Sequence, residues 1–504
     1  MWKSRWRILL CVLLLSPITE RAARAELRLP SILSDHMVLQ AGVPLRIWGW
    51  AEAGGRVTVS FEHQSFATVA RNSGFWEVFL HPLRAGGPYE MIITARDRVV
   101  IQDVLVGEVW VASGQSNMER PLLLVNHAEA EIAAANYPQI RLFLVRDKES
   151  DVPLEDVEGS WKICTPESVP HFSAIGYFFA RNLYLSRHVP VGLIDSSWGG
   201  TPGQSWLRRV VMENDKNLQS YIEEWNQTLA DFPSAFERYQ KSLGEWRRLA
   251  AEAKPRGIQP PPEPKAPLGP GHRNTPGGLW NAMILPLTRY AIRGVLWYQG
   301  ESDADPKHAY RYRYLFRALI EDWRCQWQEG NFPFLFVQLA NYAGNPNWPL
   351  LRESQSYALG LRNTAMIVTI DIGDSHDVHP KNKQDVALRL SLAAQALAYG
   401  EPVEYSGPVF RQATREGNRV RLYFDHAASG LRSHAGTQPQ GFELAGADNQ
   451  FVPAQTQIEG TTVLLQSAKV PVPIHIRYGW ADDPHCTLEN GNGLPASPFR
   501  ADVD

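Results

Sequence analysis

The chain has 504 residues and a formal net charge of −3. A length of this order predicts about two to four domains with ample buried core. Because the charge is nearly balanced, nucleic acids and anionic membrane surfaces are not expected as partners.

The first residues have the pattern of a signal peptide. Basic residues precede an apolar run over 8–15, which is too short to span a bilayer. Small residues at Ala23 and Ala25 are typical of a cleavage site, so we assign 1–25 to the signal. The pattern predicts a secreted or periplasmic protein that is free of the membrane after cleavage. A retained N-terminal anchor is the alternative.

Three cysteines remain once this segment is removed, which allows at most one internal disulfide and one free thiol. The sequence leaves open the pairing among Cys164, Cys325 and Cys486. No paired spacing of cysteine or histidine predicts a structural zinc site, and no metal is expected.

Residues 26–103 consist of short β-type runs separated by glycine and proline clusters. The runs at 45–50, 57–61 and 76–80 are alternately or continuously apolar. Several strands at this spacing predict an accessory β-sandwich domain.

Strand and helix patterns alternate over 104–400. The clearest helical patterns lie at 173–187, at 309–327 and after Pro380. This alternation predicts an α/β domain with a doubly wound parallel sheet and helices on both faces. The predicted strands cover 104–112, 191–195, 293–298, 334–339 and 366–371.

Two further regions differ in composition from this domain. Residues 213–272 begin as charged, helix-prone sequence and end in a proline-rich stretch that cannot be regular helix. We interpret them as an insertion with a helical arm and an extended return. Residues 401–504 return to β-type patterns and predict a C-terminal β region.

The ends of the predicted strands are the first places to look for chemistry, because open α/β sheets bind ligands outside the carboxyl ends of their strands. Gly114 and Ser116 follow the first strand. The glycine permits a tight turn, and the serine would begin a helix whose backbone N–H groups can hold an oxyanion. The same serine is equally consistent with an ordinary helix N-cap.

The loop at 371–380, after the last predicted strand, holds three carboxylates and two histidines. A serine hydroxyl becomes a nucleophile when a base takes its proton, and that base needs a carboxylate to orient it. The loop offers both kinds of group. Helix capping by Asp377, a solvated acidic turn and a divalent-metal site are the alternatives.

Two other strand ends carry groups that acyl transfer requires. Gly199 and Gly200 follow the second strand and let a substrate approach the backbone closely. Gln299 follows the third strand and has an amide that can donate to an oxyanion. Each alone is typical of a tight turn, but their convergence with Ser116 predicts acyl transfer.

Together these segments resemble the sialate O-acetylesterase family of the SGNH-hydrolase superfamily. They occur in the family's order, and the resemblance covers most of the mature chain. The resemblance implies a flavodoxin-like SGNH sheet and a secreted serine esterase that removes O-acetyl groups from carbohydrate without a cofactor. The matching segments are 114–118, 199–202 with Trp206, 297–302, and 377–380 with Asn382 and Lys383.

The resemblance also implies the catalytic roles. Ser116 would be the nucleophile and His379 its general base. Asp377, two residues before the histidine, would orient it, with Asp374 as a rival. A serine–histidine dyad helped by a backbone carbonyl is a further alternative.

The remaining roles concern the oxyanion and the sugar. The resemblance implies an oxyanion hole made by the backbone N–H groups of Ser116 and Gly200, or Gly199, and the side chain of Gln299. The residues expected to bind substrate are Trp198, Trp206 and Glu301.

The expected substrate is an O-acetylated carbohydrate, either 9-O-acetylated sialic acid or a plant polysaccharide such as xylan or xyloglucan. The sequence leaves open the position of the acetyl group and the oligomeric state. One alternative is a non-catalytic carbohydrate-binding surface protein with a degenerate esterase domain. A lipase or long-chain esterase is another, although the sequence contains no extended apolar lid.

Overall fold

The computed structural model describes residues 26–434, 436 and 438–503. The signal peptide predicted for 1–25 lies outside these residues. In the part of the chain that is described, no helix is long and apolar enough to cross a membrane. Cys164, Cys325 and Cys486 are free thiols, and the first and last of them are buried.

The N-terminal strands form two sheets. β2 and β5 pair with each other, and β3 pairs with both β4 and β6. The apolar side chains of Val57, Val59 and Phe61 alternate with less buried ones along β3, so one face of its sheet is buried in the core. The strands are β1 (Val38–Gln40), β2 (Leu45–Trp50), β3 (Arg56–Phe61), β4 (Gln64–Val69), β5 (Phe75–Leu80) and β6 (Gly86–Thr94).

Strands alternate with helices over residues 98–399. The strands are β7 (Arg98–Gly114), β8 (Tyr137–Leu144), β9 (Trp161–Cys164), β10 (Val191–Ser197), β11 (Gly294–Tyr298), β12 (Phe334–Val337) and β13 (Thr364–Ile367). The helices are α1 (Ser116–Glu119), α2 (Ala128–Ala133), α3 (Ala174–Arg187), α4 (Arg209–Asn214), α5 (Gln219–Ala253), α6 (Tyr312–Trp327), α7 (Trp348–Ser356) and α8 (Lys383–Tyr399).

The central sheet has the order β13-β12-β11-β7-β10-β8-β9, parallel except for the antiparallel edge strand β9. Trp110 of β7 packs on Phe179 of α3, and Trp297 of β11 stacks on Phe316 of α6. The register pairs Trp297 with Ser113, three residues from Trp110, so the two tryptophans point to opposite faces. Helices therefore cover both faces, which confirms the predicted doubly wound α/β fold.

β7 belongs to both sheets. Its first half pairs with β6 and β1, and its second half pairs with β10 and β11. The N-terminal sheet and the central sheet are therefore continuous, and the boundary predicted between 103 and 104 falls inside this strand. Asp103 interrupts the extended backbone with a φ of 54°, and its carboxylate pairs with Arg141 and His36.

The predicted insertion contains α5, which runs for 35 residues and includes Pro233. The following segment, 257–271, forms neither strand nor helix. The indole N–H of Trp246 donates to the carbonyl of Pro261 at 2.8 Å, so this return lies along the helix.

The described residues of the last part of the chain form two four-stranded antiparallel sheets and one strand pair. The fully buried Arg352 of α7 anchors this part, donating to the carbonyls of Ala481 and Asp482. The strands are β14 (Val409–Glu416), β15 (Arg419–Asp425), β16 (Leu431–Ser433), β17 (Phe442–Ala445), β18 (Val452–Pro453), β19 (Gln455–Glu459), β20 (Thr462–Gln466), β21 (His475–Tyr478), β22 (Leu488–Asn490) and β23 (Phe499–Asp502).

Candidate active site

Ser116 lies at the carboxyl end of the central strand, where β7 turns into α1. The turn requires Gly114, whose φ is 129° and where a Cβ atom would overlap the backbone of Tyr298. Ser116 is the first residue of α1, so its backbone N–H has no acceptor within the helix. Its half-buried hydroxyl thus stands beside backbone donors at a rigid position.

His379 reaches Ser116 from the loop between β13 and α8. Its Nε2 lies 2.8 Å from the serine Oγ, although the residues are 263 positions apart. Burial lowers the pKa of His379, and the positive charge of Arg120 lowers it further, whereas Asp377 acts in the opposite direction. The imidazole is therefore held in the neutral form that can accept the serine proton near neutral pH.

Asp377 is the carboxylate beside this histidine. Its Oδ1 accepts the backbone N–H of His379 at 2.8 Å and lies 3.6 Å from the ring Nδ1. Asp374, the predicted rival, instead accepts the backbone N–H of His376 at 2.9 Å. The ring contact exceeds ordinary hydrogen-bond length, so Asp377 acts on the imidazole mainly through its charge and through its bond to the His379 backbone.

The glycine turn after β10 lies directly against the serine. A Cβ atom on Gly199 would fall 3.2 Å from the Ser116 Cβ and close to the Glu119 carboxylate. Burial raises the pKa of Glu119, and the backbone of Gly199 opposes this shift. Gly200 is exposed and has a φ of 69°, so its backbone is accessible at the mouth of the site.

Gln299 is fully buried beneath this turn, and its amide is not available to a substrate. Its Nε2 donates to Asp303 Oδ2 at 2.6 Å, to the Thr201 carbonyl at 3.1 Å and to Gln115 Oε1 at 3.2 Å. The hydroxyl of Tyr312 donates to its Oε1 at 2.8 Å. The structure therefore does not support the predicted direct oxyanion donor at this position, because Gln115, the Thr201 carbonyl and Asp303 accept from its amide hydrogens.

One of the three residues predicted to bind substrate lies in the interior. Trp206 is fully buried, donates to Thr201 Oγ1 at 3.0 Å and packs edge-on against Trp297. The carboxylate of Glu301 accepts from Asn117 Nδ2 at 2.5 Å within a buried network. Glu301 and Trp198 are both half-buried, and the backbone N–H of Trp198 donates to the Gly114 carbonyl beside the serine turn.

A buried network below the Ser116–His379 pair was missed as a functional feature. The Lys383 ammonium donates to Asn117 Oδ1 at 2.6 Å, and Asn117 Nδ2 donates to Glu301 and to the Val378 carbonyl. Burial lowers the pKa of Lys383 to about 7, although Glu301 acts in the opposite direction. Asn117 and Lys383 both lie within the segments that carry the family resemblance, and this was the available signal.

A group of acidic side chains next to the glycine turn was also missed. Burial raises the pKa values of Glu119 and Asp147, and the positive charge of Arg273 opposes both shifts. Burial likewise raises the pKa of Asp195 to about 8, and its Oδ1 accepts from Ser197 Oγ at 2.5 Å. Asp147 follows β8, a strand that the sequence pattern did not reveal.

The loop at 371–380 was also considered as a metal site. Among the residues that the structure describes, no group of three histidine, cysteine or carboxylate side chains is placed to hold a metal ion. The carboxylate of Asp371 instead pairs with Arg389 of α8.

Comparison with known proteins identifies relatives over almost the whole chain. The family described as "Carbohydrate esterase, sialic acid-specific acetylesterase" matches residues 277–398. The rat sialate O-acetylesterase is 31% identical over 98% of this chain and 98% of its own length. The human sialate O-acetylesterase is 30% identical over 96% of this chain and 94% of its own.

The structural comparison agrees with the sequence relatives. The crystal structure of a carbohydrate acetylesterase from Xanthomonas citri is 37% identical and covers 95% of this chain and 100% of that one, with a TM-score of 0.81. The comparisons confirm the resemblance on which the sequence analysis relied. This chain belongs to the sialate O-acetylesterase family and is an esterase.

Proposed function

We propose that this chain is an extracytoplasmic carbohydrate O-acetylesterase that works through an acetyl-serine intermediate. The observation that carries the proposal is the 2.8 Å separation between Ser116 Oγ and His379 Nε2. The relatives support a sugar acetyl ester as the substrate, since they are named sialate O-acetylesterases and a carbohydrate acetylesterase.

In the first half-reaction, Ser116 Oγ bonds to the acetyl carbonyl carbon while His379 Nε2 accepts the hydroxyl proton. The carbonyl electron pair moves onto its oxygen to give a tetrahedral oxyanion. When this intermediate collapses, the bond to the sugar oxygen breaks. His379 gives its proton to that oxygen, and the acetyl group stays on Ser116.

In the second half-reaction, His379 accepts a proton from water, and the resulting hydroxide attacks the acetyl-serine carbonyl. Collapse breaks the bond to Ser116 Oγ, which takes the proton back from His379, and acetate leaves. Asp377 orients the imidazole in both halves and stabilises its cationic form.

The oxyanion is held by the backbone N–H groups of Ser116 and Gly200. Gly200 is preferred to Gly199 because Gly200 is exposed at the mouth of the site, whereas Gly199 lies against the Glu119 carboxylate. Gln299 acts indirectly, since it bonds both Gln115 and the Thr201 carbonyl and so fixes the two turns that present these donors.

The extracytoplasmic location rests on the basic and apolar residues within 1–25 and on the small residues before Glu26. N-terminal sequencing of the protein recovered from its native host tests it. A mature chain that starts at Glu26 supports export, whereas an intact N-terminus on cytoplasmic protein contradicts it.

Acetate release tests the reaction and the substrate. The purified full chain is assayed on acetylated sialosides and on acetylated xylan and xyloglucan fragments. S116A is expected to lower kcat by about 10⁴-fold or more, whereas S242A, on an exposed face of α5, should match the native enzyme. Acid quenching during turnover should trap one acetyl group on a peptide that contains Ser116.

Other outcomes would reject the proposal. Glycan binding without any acetate release would identify a degenerate esterase that acts as a binding protein. Faster cleavage of octanoyl than of acetyl esters would identify a lipase-like enzyme. Activity that survives S116A would exclude the acetyl-serine route.

A further inference from the structure

The oxyanion site proposed above depends on backbone groups, because the amide of Gln299 is buried and already bonded within the protein. The backbone N–H groups of Ser116 and Gly200 must therefore be held in place by the turns that carry them. Ser116 is held by α1, whereas Gly199 and Gly200 form a turn of two adjacent glycines. Glycine backbone is intrinsically flexible, so this turn needs support from other parts of the chain.

Hydrogen bonds fix the two ends of the glycine turn. At one end, the Trp198 N–H donates to the Gly114 carbonyl at 3.0 Å. At the other end, the Thr201 carbonyl accepts from Gln299 at 3.1 Å, and the Thr201 hydroxyl donates to the Trp198 carbonyl at 2.8 Å. These bonds hold the residues on either side of the two glycines.

The two glycines themselves lie against charged side chains. Oε2 of Glu119 is 2.6 Å from the point that a Cβ atom on Gly199 would occupy. Nη2 of Arg273 is 3.0 Å from the corresponding point on Gly200. One carboxylate and one guanidinium, of opposite charge, therefore contact successive residues of the turn.

The charges of these two side chains act on each other at the turn. Burial and the charge of Asp147 raise the pKa of Glu119, whereas the Gly199 backbone and the Arg273 guanidinium lower it. The groups that favour the ionised form of Glu119 are thus the turn itself and the cation that lies against it. Attraction between opposite charges in a partly buried place is stronger than at the surface.

Glu119 links the turn to the nucleophile. It is the last residue of α1, the helix that begins at Ser116, and its backbone N–H donates to the Gln115 carbonyl at 3.0 Å. A Cβ atom on Gly199 would also lie 3.2 Å from the Ser116 Cβ. The same short helix therefore carries both the nucleophile and the carboxylate that lies against the glycine turn.

Arg273 comes from the end of the proline-rich return of the insertion. That return packs closely on α5, because a Cβ atom on Gly269 would fall 2.1 Å from the ring of Phe232. Beyond Arg273, the Gly277 N–H donates to the Gln204 carbonyl at 3.0 Å. The guanidinium is thus held from both sides along the chain, and the insertion ends at the glycine turn.

We propose that Glu119 and Arg273 are positioning residues that hold the glycine turn between them and keep the Gly200 N–H directed at the oxyanion. The proposal rests on the esterase function proposed above and adds two residues to its machinery. It also gives the insertion a part in catalysis, since the insertion supplies the position of Arg273.

Steady-state kinetics on 4-nitrophenyl acetate and on one acetylated sugar test the two residues. R273M is expected to lower kcat by about 10- to 100-fold, because a displaced oxyanion donor fails mainly in the transition state. KM should stay within about twofold of the native value. E119Q should lower kcat by about tenfold, and R273K, which keeps the charge, should lose less than R273M. R238M and E237Q, at exposed positions of α5, are the matched controls and should behave as the native enzyme.

Inhibition by methylboronic acid separates positioning from a general loss of folded enzyme. Its boron atom bonds to Ser116 Oγ and becomes tetrahedral, which places a boronate oxygen where the oxyanion forms. The inhibition constant for R273M should rise by about the factor by which kcat/KM falls. A native inhibition constant together with a lowered kcat would mean that part of the sample is misfolded, and would overturn the proposal.

The double variant E119Q/R273M tests whether the two residues act together. Its loss in kcat should be no larger than that of R273M alone, because residues that act as a unit are not additive. Single losses that multiply in the double variant would overturn the proposal, and so would a native kcat in R273M. Failure of the esterase function looks different, because the native enzyme would then release no acetate or would be matched by S116A.

Discussion

The ammonium group of Lys383 donates a hydrogen bond to Oδ1 of Asn117 at 2.6 Å, and this contact joins the start of α8 to the residue after Ser116. The Asn117 amide in turn donates to the Val378 carbonyl at 2.9 Å. A single buried asparagine thus fixes both the loop that carries the serine and the loop that carries His379.

The charge of Lys383 should be visible in the pH dependence of catalysis. Lys383 and Arg120 both lower the pKa of His379, whereas Asp377 raises it. K383M removes one of the two cations, so the acidic limb of kcat/KM is expected to move to higher pH by about half a unit to one unit. The pH profile of 4-nitrophenyl acetate hydrolysis measures the shift. K383R keeps the charge and should keep the native limb, and a limb that is the same in K383M would contradict this account.

The two candidate carboxylates of the histidine loop can be separated by mutation. D377N keeps an acceptor for the His379 N–H but removes the negative charge beside Nδ1, so kcat is expected to fall about a hundredfold. D374N changes a side chain that bonds only the His376 backbone and should remain within about twofold of the native rate. Steady-state kinetics on one acetyl ester decides the matter. A larger loss in D374N would exchange the two assignments.

Asp195 should make stability depend on pH. Its pKa is raised from 3.8 to about 8, so between these values the native state holds a proton that the unfolded chain has lost. The free energy of unfolding is therefore expected to fall as pH rises through this window. D195N has no proton to lose at this position. Its free energy of unfolding relative to that of the native protein should therefore increase by about 1 to 3 kcal/mol when the pH is raised from about 5 to about 8.

Urea unfolding of D195N and of the native protein, each at a pH of about 5 and of about 8, measures this change in relative stability. D231N, on an exposed position of α5, is the control and should follow the native protein at both. A constant difference between D195N and the native protein would show that Asp195 does not titrate in this window.

The turn before Ser116 should tolerate no side chain. In G114A the new Cβ would overlap the Tyr298 carbonyl at a φ of 129°, so a loss of about 2 to 5 kcal/mol in unfolding free energy is expected. G244A is the matched control, because Gly244 lies inside α5 with open space around it and should gain up to about 1 kcal/mol. Chemical unfolding compares them, and equal stabilities would refute the steric argument.

Much of the fold could be predicted from the sequence because most of the central strands are continuous apolar runs. β8 and β9 were not predicted. β8 contains Pro138 and the charged Arg141, which interrupt its apolar run, and the charged Lys162 interrupts the apolar residues of β9. Arg141 is tolerated in the interior because Asp103, far from it in sequence, accepts two hydrogen bonds from it.

The contact between Ser116 and His379 could also be predicted, since both residues follow strands whose carboxyl ends meet at one edge of the sheet. The direction of individual side chains at that edge could not. Trp206 and Gln299 follow strands that end at the same edge of the sheet as Ser116, yet both lie in the interior. Helix α6 holds them there, because Tyr312 donates to the Gln299 side chain and Trp323 donates to the Trp206 carbonyl. Such contacts depend on a helix whose packing no local pattern specifies.

The continuity of β7 through both sheets has a consequence for engineering this protein. A fragment that begins after residue 97 would keep the serine but would strip β7 of β1 and β6, its neighbours over the first half. The resulting bare strand edge would favour self-association, and Ser116 would lie at the end of a strand that has lost the neighbours of its first half. The N-terminal sheet therefore supports the strand that carries Ser116, and both must be kept together in any chimeric protein.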